Sequence, residues 1–376
     1  CVPGDTWVET SEGPRLVRDL IDKPFKAVVN SKSYQATGFW KTGVKQVFKI
    51  TTDRGYELRA TDNHKILVER NRRRKLNGDY NIDYEWVEVK DLQHGDILVL
   101  NDHRERNPGG IDSNEMEQGW LLGLMVGDGG FNPDLYRGYV RFWGLDAKSE
   151  CEYARSIIRE LPHEWHRPVE IGESSVENAQ NHSYQVSSRA LDELAMRYIE
   201  PKTKRILPAL EMADTSIVVG FLRGFFDADG TVIGDLEKGR SVRLAQSDLE
   251  RLKVVQRMLL RLGVASTIYE NRRPKGLRML PDGNGDMAEY ECQAQHELVI
   301  SKSNMREFFC NVGFRHAEKH AKLHSFFKPS SRELYQERFS ARVETIEADG
   351  VEPVYDCTVD DVHRFDANGI IAHNCG

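Results

Sequence analysis

Leu222-Arg223-Gly224-Phe225-Phe226-Asp227-Ala228-Asp229-Gly230 reads as the end of an apolar helix that stops at a glycine. Leu121-Leu122-Gly123-Leu124-Met125-Val126-Gly127-Asp128-Gly129, earlier in the chain, reads the same way. Gly123 and Gly127 share one helix face, as do Gly224 and Ala228, so each helix offers a strip of small residues along which a second backbone can come close. Gly129 and Gly230 are expected to close the helices in the left-handed conformation. Asp128 and Asp229 then stand at helix C-termini, where the macrodipole disfavours a carboxylate by about 0.3–1 kcal/mol. Two such helices crossing side by side would bring the acids together, and a divalent cation between them would offset the double cost. Paired carboxylates with a metal suit phosphodiester hydrolysis.

Outward from these helices the same order of elements runs twice. Helical stretches at 115–128 and 216–229 are each followed by a strand-like stretch and a helix (148–160; 248–262). Further strands (183–187; 297–300) and another helix (190–198; 304–312) complete each set. Self-similarity of this kind marks an internal repeat. The outer parts of the chain differ. Residues 1–105 read as β, with an alternating run at 44–52, a turn at Asp53-Arg54-Gly55 and a resumed strand pattern at 56–68. Residues 340–374 read as β again, and Asn368-Gly369 between two apolar stretches signals a hairpin, because both residues tolerate positive φ. The expected organisation is a discontinuous β domain, 1–105 with 335–376, interrupted by a duplicated domain at 113–330 whose halves are about 113–210 and 211–325.

A chain of 376 residues is long enough for two or three domains at roughly 150 residues each. No run approaches the ~20 apolar residues of a membrane span, and 39% hydrophobic residues suffice for real cores. The net charge of -7 speaks against a whole surface built for nucleic acid, so the distribution of basic residues decides. Six cysteines without a CxxC pair fit a reduced intracellular chain with no structural zinc. With no signal peptide visible, a cytoplasmic location and no membrane partner are expected, and the chain is read as a monomer.

A nucleophile stands at each end. Cys1, where an initiator methionine would be expected, can attack the peptide bond before it. The Asn374 amide nitrogen can attack its own backbone carbonyl, closing a succinimide and cutting the chain, and Cys375 beyond that bond can receive an acyl group. Splitting one hard acyl transfer into easier steps is the logic of covalent catalysis. For Cys1 and Cys375 to share an acyl group the ends must meet. Thr61-Asp62-Asn63-His64 puts a histidine on a strand inside the first β segment, while Asp356, His363 and His373 lie along the last.

In this order, Cys1-Val2-Pro3-Gly4-Asp5-Thr6, Thr61 to His64, Tyr355-Asp356-Cys357-Thr358-Val359 through His363, and Gly369-Ile370-Ile371-Ala372-His373-Asn374-Cys375 resemble the sequence blocks of inteins. The resemblance covers about 1–105 and 335–375. It implies a mainly-β hedgehog/intein (Hint) domain and autocatalytic protein splicing, with the flanking host segments as partners in cis and no cofactor. Cys1 would form a thioester, Cys375 would take the acyl group over, and Asn374 would cyclise. Thr61 and His64 would polarise the first scissile amide, Asp356 would manage thiol protons, and His363 and His373 would assist Asn374.

The two helix ends resemble the LAGLIDADG motif of homing endonucleases, with Asp227-Ala228-Asp229-Gly230 the closer match and Val126 in place of the motif's first Asp. The resemblance spans about 113–325. It implies an α+β endonuclease domain of two αββαββα-like repeats, Mg²⁺ bound by Asp128 and Asp229, and a saddle over duplex DNA carrying the empty host-gene insertion site. Arg137, Tyr139, Arg141 and Trp143 fall on one face of an alternating strand, and Arg243 sits similarly in the second half. Arg272, Arg273, Lys275 and Arg278 read as one basic loop, and Arg70, Arg72, Arg73, Arg74 and Lys75 as another. Lys204, with Lys202 as rival, and Lys302 are the candidates for basic residues beside the scissile phosphate. The alternatives are a splicing element whose endonuclease has decayed to DNA binding, and a hedgehog-like autoprocessing or cysteine protease domain, for which Asn374 would have no use.

Overall fold

The alternating run read at 44–52 is part of one long strand, Trp40–Thr52, in which Val47 and Ile50 are both fully buried, in separate clusters. In this computed structural model the described residues are 1–75, 80–106, 110–144, 146–163, 167–177, 182–235, 239–281, 287–328 and 334–374. Backbone contacts divide the chain into two compact units. The first joins Cys1–Asn107, Gln246–Asn304 and Leu334–Gly376, and the second joins Pro108–Ala245 with Met305–Glu333.

In the first unit, strands from both ends of the chain share one sheet. Its order is Arg364–Ala367, Ile370–His373, Lys65–Arg74, Ile97–Val99, Ser340–Asp356, Trp40–Thr52 and Glu57–Ala60, with Val2–Pro3 and Tyr80–Glu88 pairing at its sides. Four strands between Trp7 and Ala36 form a second antiparallel sheet. The expected hairpin is present: Asn368 and Gly369 have φ of 53° and 86° between paired strands. The core runs through Val8, Phe39, Ile50, Ile66, Leu98, Phe365 and Ile370, and it also takes in Leu260 and Ala265. The latter two explain why 246–304, expected in the interrupting domain, groups with the β segments. Helix Leu249–Arg261 and the strand after it are bonded there: Gln256 Nε2 donates to Arg54 O at 2.8 Å, and Ile268 N to the same carbonyl at 3.0 Å.

Three local readings change. Thr61–His64 is a turn between strands, closed by His64 N donating to Thr61 O at 3.1 Å, so His64 precedes a strand. The basic run from Arg70 belongs to strand Lys65–Arg74, which pairs with Tyr80–Glu88 through Arg74↔Tyr80. The basic run 272–278 is likewise strand at both sides, Thr267–Arg273 and Gly276–Pro281, the latter paired with Met287–Cys292. Alternation of long charged side chains with apolar ones is compatible with an exposed sheet surface, which a count of charges alone does not reveal.

The second unit contains the two long helices, Ser113–Asp128 and Thr215–Asp229, packed on each other. Both start at aspartate N-caps, Asp112 and Asp214, whose carboxylates accept backbone N–H groups of the first turn. A four-stranded antiparallel sheet follows the first helix, ordered Gly129–Asn132, Arg137–Trp143, His182–Ser188 and Ile171–Glu177. The terminal glycines are extended and not left-handed: Gly129 has φ -125° and Gly230 φ -74°. They are glycines for room. A methyl group on Gly129 would stand 2.3 Å from Tyr139 O, and one on Gly230 2.4 Å from Phe226 O. Along the chain, the order helix-strand-strand-helix-strand-strand-helix occurs from Ser113 to Met196. It recurs from Thr215 to Asn311, with a hairpin added before the last strand. Among the described residues no helix is long and apolar enough to cross a membrane.

Candidate functional site

Three strand ends converge on Cys1. The pairing Val2↔Tyr355 sets Cys1 beside Asp356, the last residue of its strand. The Thr61–His64 turn closes over it, and Thr61 N donates to Cys1 O at 3.1 Å. The Cys1 nitrogen lies 2.8 Å from His64 Nδ1, 3.3 Å from Thr61 Oγ1 and 3.6 Å from Asp356 Oδ2. Asp356 Oδ1 accepts the Cys357 amide at 2.9 Å, which fixes the carboxylate plane.

His64 is fully buried, with its ring edge against Phe365. Burial pushes its pKa well below the ordinary histidine value, helped by the positive Cys1 nitrogen and by His373. The imidazole is therefore neutral near pH 7. His373 is also pushed down, mainly by burial, and its ring meets the Trp86 ring edge-on at 4.8 Å. His363 holds φ of 48°, a left-handed backbone that costs a non-glycine residue of order 1 kcal/mol or more. Its carbonyl accepts the Asn374 N–H at 3.2 Å. The Asn374 side chain is fully buried, and neither Oδ1 nor Nδ2 has a hydrogen-bond partner among the described residues. A buried primary amide left unbonded is costly, and such exceptions concentrate where chemistry is done. Cys375 lies outside the described residues.

The Cys1 sulfur has neighbours that motif reading missed. Thr42 Oγ1 is 3.2 Å from Sγ and Lys45 Nζ 3.8 Å. Trp86 against His373 was missed as well. None of the three belongs to a spaced motif.

In the second unit the glycine strips are required by contact. A methyl on Gly119, Gly123, Gly220 or Gly224 would fall between 1.9 and 2.2 Å from a carbonyl oxygen of the facing helix. One on Gly127 would meet Ala228 Cβ at 2.4 Å and the Asp229 carboxyl carbon at 3.5 Å. The ends of the two helices are therefore side by side, and Asp128 and Asp229 are both half-buried there. Burial raises the Asp128 pKa, while Lys319, Lys204 and Arg141 pull it down. Lys204 Nζ donates to Val126 O at 3.3 Å and Gly127 O at 3.5 Å, at the end of the first helix. The lysine at the end of the second is Lys319, on helix Ala317–Ser325: its Nζ donates to Asp227 O at 2.5 Å and to Phe226 O and Ala228 O at 3.3 Å. Lys302, expected in that role, instead lies 3.7 Å from Glu337. Burial lowers the Lys319 pKa, against the pull of Asp227, Asp229 and Asp128. Asp227 is a structural acid: it accepts Trp120 Nε1 at 2.9 Å and the backbone N–H groups of Arg315 and His316 at 3.0 Å.

The strand face read from alternation is present. Arg137, Tyr139 and Arg141 are partly exposed and Trp143 exposed, between buried Gly138, Val140 and Phe142. The Arg141 guanidinium bonds to Gln185 Oε1 at 2.7 Å and lies over the Tyr139 and Trp143 rings. Other basic candidates already have acidic neighbours. Arg137 pairs with Glu170, Arg70 with Glu85 and Asp96, Arg272 with Glu297 and Lys275 with Glu291. Arg72 stacks on Tyr80 at 3.5 Å, Arg73 is exposed, and Arg243 Nε donates to Ser241 Oγ at 2.9 Å. Among the described residues no three His, Cys, Asp or Glu side chains cluster as a metal cage. Two carboxylates at adjacent helix ends are hard oxygen donors that suit Mg²⁺, a cation that retains several waters and takes one or two protein carboxylates.

Residues 216–313 match the model of the LAGLIDADG-like domain family. Among curated proteins, the chain is similar to the ribonucleoside-diphosphate reductase NrdEB subunit alpha of Bacillus subtilis strain 168. The identity is 28% over 402 residues, covering 100% of this chain and 36% of the relative. It is also similar to the replicative DNA helicase DnaB of Rhodothermus marinus, at 24% identity, covering 100% of this chain and 46% of the relative. The chain thus spans less than half the length of these relatives. Among solved structures, mesophilic variants of the homing endonuclease I-DmoI align with TM-score 0.38 and 18% identity, over 57% of this chain and 99% of theirs. The G-1F mutant of Ssp DnaB mini-intein variant M86 aligns with TM-score 0.30 and 11% identity, over 100% of this chain and 98% of its own. At TM-scores below 0.5 neither likeness supports a conclusion by itself.

Proposed function

We infer that the chain is a large intein with an internal LAGLIDADG domain, which excises itself from a host protein and cuts duplex DNA at the site of its own insertion. The observation that carries the splicing half is the convergence of Thr61, His64 and Asp356 on the Cys1 nitrogen in the first unit, which also buries the unbonded Asn374 amide. In a precursor the Cys1 nitrogen is an amide N–H joined to the upstream segment, so the groups now around an ammonium would surround the scissile nitrogen. Sulfur attacks the preceding carbonyl, the C–N bond breaks, and the thiol proton ends on the freed amine. Neutral His64, with Nδ1 facing that nitrogen, accepts a hydrogen bond from its N–H before attack, and the one proton released by the thiol would pass through this imidazole to the nitrogen as the C–N bond breaks. Asp356 would move the thiol proton. Cys375 then takes the acyl group by thioester exchange, and the Asn374 nitrogen closes on its own carbonyl with His363 and His373 beside it. Holding these groups in place is worth about 7–11 kcal/mol over a bimolecular encounter.

For the endonuclease half, two repeats would set two sheets over the DNA. Asp128 and Asp229 would hold the divalent cation, which when bound supplies charge stabilisation at the phosphate and an activated water. Lys204 and Lys319, each fixed to the end of one long helix, would place positive charge beside those acids. The Arg137–Trp143 strand would contact DNA, phosphates giving affinity and base edges selecting the site. The test is cleavage of a plasmid carrying the uninterrupted host junction, with Mg²⁺ and with chelator. Tight specific binding without cutting favours the decayed-endonuclease alternative.

A further inference from the structure

The strand Trp40–Thr52 carries a feature that neither the splicing blocks nor the helix motif explains. In a regular strand side chains alternate, so Thr42 and Lys45, three residues apart, belong on opposite faces. Here both reach the same sulfur, at 3.2 Å and 3.8 Å, the Thr42 hydroxyl being shared with Val354 O, also at 3.2 Å. The pairing with the neighbouring strand shows how: Val354 faces Gly43 while Tyr355 faces Lys41, which leaves Thr42 as an extra residue. This is a β-bulge, and bulges re-aim side chains beside active sites. It is built on Gly43 at φ 145°, a conformation open to glycine and strained for other residues. Beyond the bulge, Lys45 and Val47 share a face, and Val47 packs with Cys1 and Val354 in a small buried cluster. Cys1 thus has apolar Val47 and Val354 packed against it and the Lys45 ammonium 3.8 Å from its sulfur.

We propose that Thr42 and Lys45 form a thiolate cradle for Cys1, with Lys45 a catalytic residue of the first acyl shift and Thr42 a hydrogen-bond donor to the same sulfur. The proposal rests on the splicing reading and deepens it. A thiolate is the nucleophile, and a neighbouring lysine makes one available near neutral pH. Sulfur attacks the upstream carbonyl carbon, the carbon–nitrogen bond breaks, and the proton released by the thiol ends on the Cys1 amine. When Cys375 takes the acyl group, Cys1 leaves as a thiolate again, so the same ammonium assists both steps. Cys1 is also met by His64 Nδ1 and Asp356 Oδ2, 2.8 Å and 3.6 Å from its nitrogen. Lys45 and Thr42 face the sulfur, and this separates their role from that of the histidine turn.

The test reads the sulfur directly. In the full chain, alkylation of Cys1 by iodoacetamide is followed across pH 6–10 by mass spectrometry of the N-terminal peptide, for wild type, Lys45→Met, Lys45→Arg and Thr42→Val. An opposite charge within 4–6 Å shifts a pKa by about one unit or more, so Lys45→Met should slow alkylation at pH 7 by about tenfold and recover by pH 10. Lys45→Arg should stay within about threefold of wild type, and Thr42→Val should fall between. An unchanged pH curve in Lys45→Met, with the circular dichroism spectrum retained, overturns the proposal. If Lys45→Met fails to fold, the comparison of Lys45→Arg with Lys45→Gln decides on the same criterion. A second arm measures thiol-induced cleavage upstream of Cys1 in a flanked Asn374→Ala precursor. Here Lys45→Met should cut the rate by about tenfold at pH 7 and recover at pH 9. Absence of any thioester in the Lys45-intact precursor would count against the splicing reading, while the alkylation curve would still decide the cradle.

Discussion

At the scale of single residues, the consequential groups are those the fold holds in an uncomfortable state. Asn374 keeps a buried side-chain amide without a partner among the described residues, and His64 is buried and neutral. Replacing Asn374 by Ala in a flanked precursor should stop release of the downstream segment and leave the upstream thioester open to added thiol. Free downstream segment from that variant, seen on a gel, would remove Asn374 from the mechanism. The histidines also make a pH prediction. Both His64 and His373 are held below the ordinary value by burial. Below about pH 6.5 the unfolded chain takes up protons at these two positions and the folded chain does not. Proton uptake therefore favours unfolding, and stability contributed by the two histidines is present above that pH and lost as pH falls. The urea midpoint should be lower at pH 5 than at pH 7.5, and His64→Asn should shrink the difference. A midpoint equal at both pH values in the wild type would contradict this.

At the scale of elements, the helix pair is the part most fully written in the sequence. Small residues at matched positions announced close packing, and methyl groups there would collide with facing carbonyl oxygens. Gly220→Val should destabilise the second unit by about 1–3 kcal/mol or more, since overpacking forces backbone shifts. A thermal melt unchanged from wild type would show that the helices separate freely. The strand face Arg137–Trp143 was also legible, because period-two alternation survives into the sheet. Other features were not, for physical reasons. The terminal glycines were read as left-handed caps, but their absence of a side chain serves close approach of Tyr139 O and Phe226 O in extended backbone. The Thr42–Lys45 pair was hidden by a bulge, which breaks the alternation from which faces are read. Lys319 sits far along the chain from the helix it caps, and no local spacing ties the two. At the helix ends themselves, Asp229→Asn should abolish double-strand cleavage or leave nicking only, with DNA binding largely kept. Because burial raises the Asp128 pKa, protons compete with the cation, and cleavage should weaken as pH falls. Full cutting by the Asp128→Asn, Asp229→Asn double variant would show the acids misassigned.

At the scale of the whole molecule, the splicing residues belong to the first unit and the helix-end acids to the second, while the second repeat has segments in both; independence of the two activities is testable. Asp229→Asn should leave splicing intact, and Asn374→Ala should leave DNA cutting intact. The blocks at both ends were legible because each carries its residues in a short run with fixed order. The grouping of 246–304 with the β segments was not, since it depends on Leu260 and Ala265 entering a core whose other members lie far away in sequence. Self-excision is read from the intact masses present after a precursor with a folded segment fused at each end is incubated with reductant. Splicing predicts two new species, the two flanks joined by a peptide bond and a released chain beginning at Cys1 and ending at Asn374 as its succinimide. A precursor that stays whole, or that yields separate flanks without any joined product, would contradict it.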